Sequence, residues 1–143
     1  SGLFGNFGQS NYGAAKMGML GLANVLALEG AARNVRVNCL GPGAATRMTN
    51  TVPGRDEDLS EPDPLRAPSL VSPAVLYMSS DDAPNGAVIH ASGGNYSQSQ
   101  IYVNEPVELG ANATYEDLLP HVDQLLDMSQ AKPRERRVPQ KRQ

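Results

Sequence analysis

SNYGAAKMGMLGLANVLALEGAA, residues 10–32, is the stretch about which the chain is arranged. Only Lys16 and Glu29 are charged within it, and Met17, Met19, Leu20, Leu22, Val25, Leu26 and Leu28 spread over most of a helical circumference. The pattern predicts one helix from Ser10 or Asn11 to about Ala32, with Ser10 or Asn11 as N-cap. A helix apolar nearly all round is expected to be buried on more than one side. One face then packs on a sheet, and the other needs further chain or another subunit. Gly13, Gly18 and Gly21 lower helix propensity and are expected to be close-packing points. Tyr12 and Lys16 stand four residues apart, so on a helix they leave the same face about 40° apart and one turn along. An ammonium held beside a phenol favours the phenolate, so such a pair can act as acid and base. Taken alone, Tyr-x-x-x-Lys is weak evidence.

Upstream, residues 1–9 (SGLFGNFGQ) repeat Gly every third position and predict a loop. They are not the G-x-G-x-x-G that cradles a pyrophosphate. Downstream, Asn34–Leu40 (NVRVNCL) predicts a short strand that Gly41-Pro42-Gly43 ends. A helix followed by a strand is half of a crossover unit, which predicts an α/β domain with a parallel sheet. Residues 44–69 carry Pro53, Pro62, Pro64 and Pro68 with Asp56, Glu57, Asp58, Glu61 and Asp63, and predict a connector or flap.

Leu70–Ser80 predicts a helix with Ser72 as cap and Pro73 in its first turn. Residues 81–86 (DDAPNG) predict a turn, and Ala87–Ala91 a buried strand followed by Ser92-Gly93-Gly94. His90 on that strand has no second ligand at metal-binding spacing, so no metal site is assigned. Thr114–Met128 predicts a helix kinked at Pro120, with Glu116 and Asp117 in its first turn. Residues 129–143 predict a disordered tail. The expected divisions are 1–104, a Rossmann-type part; 105–131, a helical extension; and 132–143, a basic tail.

The chain has 143 residues, a 40% apolar composition and a net charge of −3. That is one domain by length, with no run of 18 apolar residues to span a membrane. The charge is split. Residues 132–143 hold six basic side chains against Glu135, while the rest hold six basic and fourteen acidic groups. An acidic body with 5% aromatic residues is not a nucleic-acid surface. Cys39 stands alone, most simply a core thiol, and the expected location is cytoplasmic. The ending Lys141-Arg142-Gln143 is not a Ser-Lys-Leu-type address.

Asn11-Tyr12-Gly13-Ala14-Ala15-Lys16, the buried Gly-containing helix it opens, Val35-Arg36-Val37-Asn38, Pro42-Gly43 and a strand ending in Gly93-Gly94 together resemble the C-terminal half of a short-chain dehydrogenase/reductase. Residues 1–9, Ala45-Thr46-Arg47-Met48-Thr49 and Asp127-Met128-Ser129 resemble one subgroup. It is the (3R)-hydroxyacyl-CoA dehydrogenase unit of multifunctional enzyme type 2 and its free-standing bacterial relatives. In most of the family a Thr follows the Pro of Pro-Gly by five residues. Here that position is Arg47 and Thr46 sits one earlier, a spacing the subgroup shares.

The resemblance implies a doubly wound parallel sheet, the Rossmann architecture, whose N-terminal βαβ units and Gly-rich phosphate loop are not in this sequence. The family's catalytic Ser lies thirteen residues before the Tyr, so Ser1 is not that Ser, and the expectation is a C-terminal fragment or one half of a split gene. It further implies hydride transfer between NAD or NADP and a 3-hydroxyacyl-CoA. Tyr12 is then the general acid/base, and Lys16 supports it and bonds the nicotinamide ribose. Pro42, Gly43, Ala45 and Thr46 meet the cofactor, and the 44–69 flap covers an acyl chain. The implied partners are an acyl-CoA-type substrate and, through the 11–32 helix, further copies of the chain, with no nucleic acid and no membrane. Alternatives left open are a 3-ketoacyl reductase and a non-catalytic interaction piece.

Overall fold

The computed structural model describes residues 1–49 and 63–134. The chain forms two compact units, Ser1–Ser99 and Gln100–Gln143. Unit 1 is α/β. Its elements are α1 (Ser10–Ala31), β1 (Cys39–Gly43), 3-10 turns at Pro64–Arg66 and Pro68–Val71, α2 (Ser72–Met78), β2 (Val88–Ser92) and β3 (Asn95–Ser99). The sheet order is β1-β2-β3. β1 and β2 run parallel, with Cys39 opposite Val88, and β3 returns antiparallel from β2.

α1 spans the expected stretch, but Gln9 is its N-cap residue and no side chain caps it; the Asn11 side chain instead accepts from the Tyr12 amide. Its buried residues are Leu20, Ala23 and Ala27, a stripe at i, i+3 and i+7. Met17, Met19, Leu22, Val25 and Leu26 are exposed. Among the described residues one narrow stripe is covered and the opposite apolar face is open, the face expected to need further chain or another subunit. Gly18 and Gly21 face that open side, and a Cβ on either would meet nothing within 4 Å. Among the described residues they are not packing points.

Beyond α1, Asn34 adopts φ 55°, a left-handed conformation that Asn tolerates at helix ends. Val35 then folds back on Gly30, donating its amide to the Gly30 carbonyl at 3.0 Å. The strand begins later than expected, at Cys39 rather than Asn34, and includes Gly41-Pro42-Gly43 instead of ending there. The cause is tertiary. Arg36 donates to the carbonyls of Asp81 and Ala83, and Asn38 donates to Pro84 at 2.7 Å and accepts from Ala87 at 2.9 Å. These side chains hook onto the 81–87 turn before ladder pairing starts. Pro42 fits because β1 is an edge of the described sheet.

Ser72 is the first residue of α2, not its cap, and Pro73 sits in the first turn. Gly93 (φ 58°) and Gly94 (φ 74°) make the two-residue turn between β2 and β3. Of the 44–69 stretch, residues 50–62 lie outside the described residues. What is described is closed at its base by the Ala45 amide bonding the Arg66 carbonyl at 2.9 Å. Tyr96 also donates to the Leu70 carbonyl at 2.8 Å.

Unit 2 holds β4 (Tyr102–Val103), α3 (Tyr115–Leu118), a 3-10 turn at Leu119–His121, α4 (Val122–Leu126) and β5 (Lys132–Pro133). The single helix expected over 114–128 is broken at Pro120, as the missing amide requires. Thr114 and Asp117 form a reciprocal capping box. Asn104 donates to the carbonyls of Gln124, Leu125 and Asp127, satisfying the end of α4. β5 pairs with β4 and Lys132 bonds Glu105 at 2.8 Å, which corrects the expectation of disorder from residue 129. Residues 135–143 of the expected tail lie outside the described residues.

Two glycine substitutions separate local propensity from packing. Gly18→Ala should raise stability by about 0.5–1 kcal/mol, because its Cβ enters open space. Gly30→Ala should lower it by about 1–3 kcal/mol, because its Cβ would stand 2.9 Å from the Val35 carbonyl oxygen. Urea midpoints of the two variants check both signs. Hydrogen bonds from Thr114 hold the Asp117 carboxyl below its ordinary value. The capping box is thus fully made above the unfolded carboxyl's pKa, and is lost as pH falls through the lower folded value. The Thr114 amide resonance should titrate below about pH 4 in the parent and not in Asp117→Asn.

Candidate active site

Extending the buried stripe of α1 toward its N-terminus leads from Ala27, Ala23 and Leu20 to Lys16 and Tyr12. These positions lie within about 80° of one another on the helix. The pair therefore continues the line of the buried stripe beyond its covered part, and Tyr12 is 50% exposed. The Lys16 ammonium lies 5.2 Å from the centroid of the Tyr12 ring, a cation–π distance. It also approaches the Met19 sulfur at 4.0 Å. Among the described residues it faces no carboxylate. The expected one-turn spacing and side-by-side placement are thus observed.

The loop ahead of α1 is folded onto the helix. The Ser1 hydroxyl donates to the Gln9 side-chain carbonyl at 2.6 Å, and the Gly13 amide to the Gln9 backbone carbonyl at 2.7 Å. Gly2 lies against the backbone beside Lys16: a Cβ there would stand 2.8 Å from the Met17 nitrogen. Phe4 reaches the sheet, its ring centroid 6.2 Å from that of His90 on β2. His90 in turn bonds the Ser99 hydroxyl at 2.6 Å and lies so near Gly41 that a Cβ on that glycine would come within 2.6 Å of its Nδ1. His90 is therefore built into the sheet. Among the described residues no group of three or more His, Cys, Asp or Glu could hold a metal ion.

The other residues expected to meet a cofactor follow the end of β1. Pro42 and Gly43 are its last two residues, and Gly43 lies close to Ser92 across the ladder. Ala45 is pinned by its amide to Arg66. Thr46 and Thr49 close a small turn, the Thr46 amide donating to the Thr49 hydroxyl at 2.9 Å. Among the described residues no hydrogen bond, ion pair or ring contact joins Tyr12 or Lys16 to Pro42, Gly43, Ala45 or Thr46. The structure brings the helical pair together and the strand-end group together as two sets.

An ammonium that faces no carboxylate among the described residues and a threonine hydroxyl can both take ribose or phosphate oxygens. Among the described residues no Gly-rich turn links a strand to a helix N-terminus, which is where a pyrophosphate would be cradled. Burial pushes the Cys39 thiol up, consistent with an unreactive side chain. A separate open cavity of about 340 Å³ lies between Arg36, Asn38, Leu40 and the end of α2, and none of the candidate residues lines it. Sequence reasoning missed Asn85, whose side chain touches both α1 and the approach to β1. Its signal was the Asn-Gly pair directly before β2.

Residues 1–57 match the family model described as short chain dehydrogenase. The chain is 40% identical over 135 residues to a short-chain type dehydrogenase/reductase of Mycobacterium tuberculosis, covering 92% of this chain and 45% of that protein. It is 44% identical over 95 residues to the peroxisomal multifunctional enzyme type 2 of Mus musculus, covering 66% of this chain and 12% of that protein. The solved full-length peroxisomal multifunctional enzyme type 2 of Drosophila melanogaster superposes with a TM-score of 0.75 at 33% identity, over 92% of this chain and 24% of that one. The chain thus spans less than half the length of each of these proteins.

The packing of the N-terminal loop is testable without any ligand. Gly2→Ala should lift the loop from α1, lower stability by about 1–3 kcal/mol and speed hydrogen exchange at the Gly5 amide, which bonds the Ser1 carbonyl at 3.0 Å.

Proposed function

We propose that this relative of the short-chain dehydrogenases carries the proton-transferring pair and part of the nicotinamide cradle of an oxidoreductase. Its reaction interconverts a 3-hydroxyacyl-CoA and the 3-ketoacyl-CoA. The observation that carries the reading is the Tyr12–Lys16 pair, one helical turn apart, partly exposed, with the ammonium over the ring, inside the stretch that matches the family model. Tyr12 takes the hydroxyl proton in oxidation and returns a proton to the ketone oxygen in reduction. Lys16, whose ammonium lies over the Tyr12 ring, binds ribose hydroxyls. Pro42, Gly43 and the Ala45 backbone shape the floor for the ring, and the Thr46 hydroxyl meets a phosphate oxygen. NAD or NADP, when bound, accepts or supplies the hydride.

The reading assigns the chain the C-terminal half of a doubly wound sheet, with turnover only once the remaining βαβ units are supplied. The 45% coverage of the Mycobacterium tuberculosis relative supports this. It also assigns the open face of α1 to contact with a second copy. One observation favours a second, non-catalytic reading in which the chain serves as a pairing piece: Leu22 and Val25 are 59% and 51% exposed on that face.

The deciding assay follows NAD(P)H formation from (3R)-hydroxyacyl-CoA, on this chain alone and on this chain joined in frame to whatever its gene encodes upstream. The joined protein should turn over and the chain alone should not. Tyr12→Phe should lower kcat about 10²–10⁴-fold with little change in KM. Full turnover by Tyr12→Phe would sink the assigned role. Inactivity of the joined protein together with dimerisation of this chain would favour the pairing reading.

A further inference from the structure

We propose that Asn85 is a positioning residue that sets where α1, and with it Tyr12 and Lys16, stands along the sheet. Asn85 occupies the turn before β2, and its side chain works in two directions. Its Oδ1 accepts from the Val37 amide at 3.0 Å, and its Nδ2 donates to the Ala27 carbonyl at 2.8 Å. The next residue, Gly86, donates its amide to the Val37 carbonyl at 2.8 Å, so both polar groups of the Val37 backbone are engaged by Asn85-Gly86. One short side chain therefore joins the helix, the approach to β1 and the approach to β2.

The place of the bond on the helix matters. Ala27 is 1% exposed and is the C-terminal member of the buried stripe. Its neighbours in that stripe, Ala23 and Leu20, are apolar, and smooth apolar contacts resist sliding weakly because they are not directional. A hydrogen bond is directional and loses strength within a few tenths of an ångström. The helix is stiff, so an axial slip at Ala27 reappears undiminished at Tyr12, about 22 Å away along the axis. Proton and hydride transfer tolerate less than about 1 Å of misplacement. The tie thus converts a turn at one end of the sheet into a fixed height for the pair at the other. This inference rests on the proposed roles of Tyr12 and Lys16 only for its relevance to chemistry; the mechanical claim stands by itself.

The test needs no turnover. Nitroxide labels are placed at exposed Ala14→Cys on α1 and Gln98→Cys on β3, in a Cys39→Ala background, and the distance distribution is measured by pulsed electron resonance. In Asn85→Asp the acceptor for Val37 remains while the donor to Ala27 is gone. The distribution should shift or broaden by about 1.5 Å or more, one residue's rise. Asn85→Ala, which removes both limbs without adding charge, should do the same. If either variant is folded by circular dichroism and keeps the parental distribution, the proposal is overturned, however far its melting temperature falls. It is also overturned if Asn85→Ala does not fold, since Asn85 would then hold the fold and not the helix position. Because the readout is a distance, an inactive enzyme reading and an absent tie give different results.

Discussion

Parallel pairing of β1 with β2 is the constraint on which unit 1 depends. Parallel strands cannot be joined by a tight turn, so a long connection must leave the end of β1 and return to the start of β2. The 3-10 turns and α2 lie in that connection, and its base is stitched by the Ala45–Arg66 backbone bond. At the opposite end, the 81–87 turn must meet the approach to β1, which is why Arg36, Asn38 and Asn85 all spend their side chains there. The strand ends carrying Pro42 and Gly43 thus inherit their place from bonds formed at the other end of the ladder.

The interior this creates is thin. Among the described residues the buried apolar side chains are Leu20 and six alanines, at 23, 27, 74, 83, 87 and 91. Alanine lets backbones approach closely but withdraws little surface from water, and full burial of one leucine is worth only about 1.5–3 kcal/mol. Directional bonds therefore carry more of the specification than in a domain built on large core residues. Apolar surface is available in the chain, but α1 turns much of it outward.

Local patterns were legible wherever one element decided the outcome. The extent of α1 followed from composition and period, the break at Pro120 from a missing amide, and the start of α3 from Thr114 with acids behind it. The Tyr12–Lys16 relation was legible because four-residue spacing on a helix is geometry. What the residues alone did not give were features that another element imposes. β1 begins at Cys39 because side chains upstream are held by a distant turn. Leu22 and Val25 look buried by pattern and are open among the described residues. The β3 return strand, polar and short, was missed, although Gly93-Gly94 between Ser92 and Asn95 marked the hairpin. Whether the strand-end residues share a site with the helical pair depends on tertiary placement that no local pattern encodes.

The Gly93-Gly94 turn has a consequence for the order in which the molecule assembles. It brings β2 and β3 together across two residues, a closure that local chain motion achieves within microseconds. The β1–β2 ladder must close Cys39 on Val88, 49 positions away, at an entropic disadvantage of about 2.5–3 kcal/mol relative to the hairpin. The hairpin is therefore the early template, and β1 with its helix is the late arrival. The residues with chemical potential all ride on that late arrival. During synthesis they wait, on α1 and at the end of β1, for the last third of unit 1 to leave the ribosome.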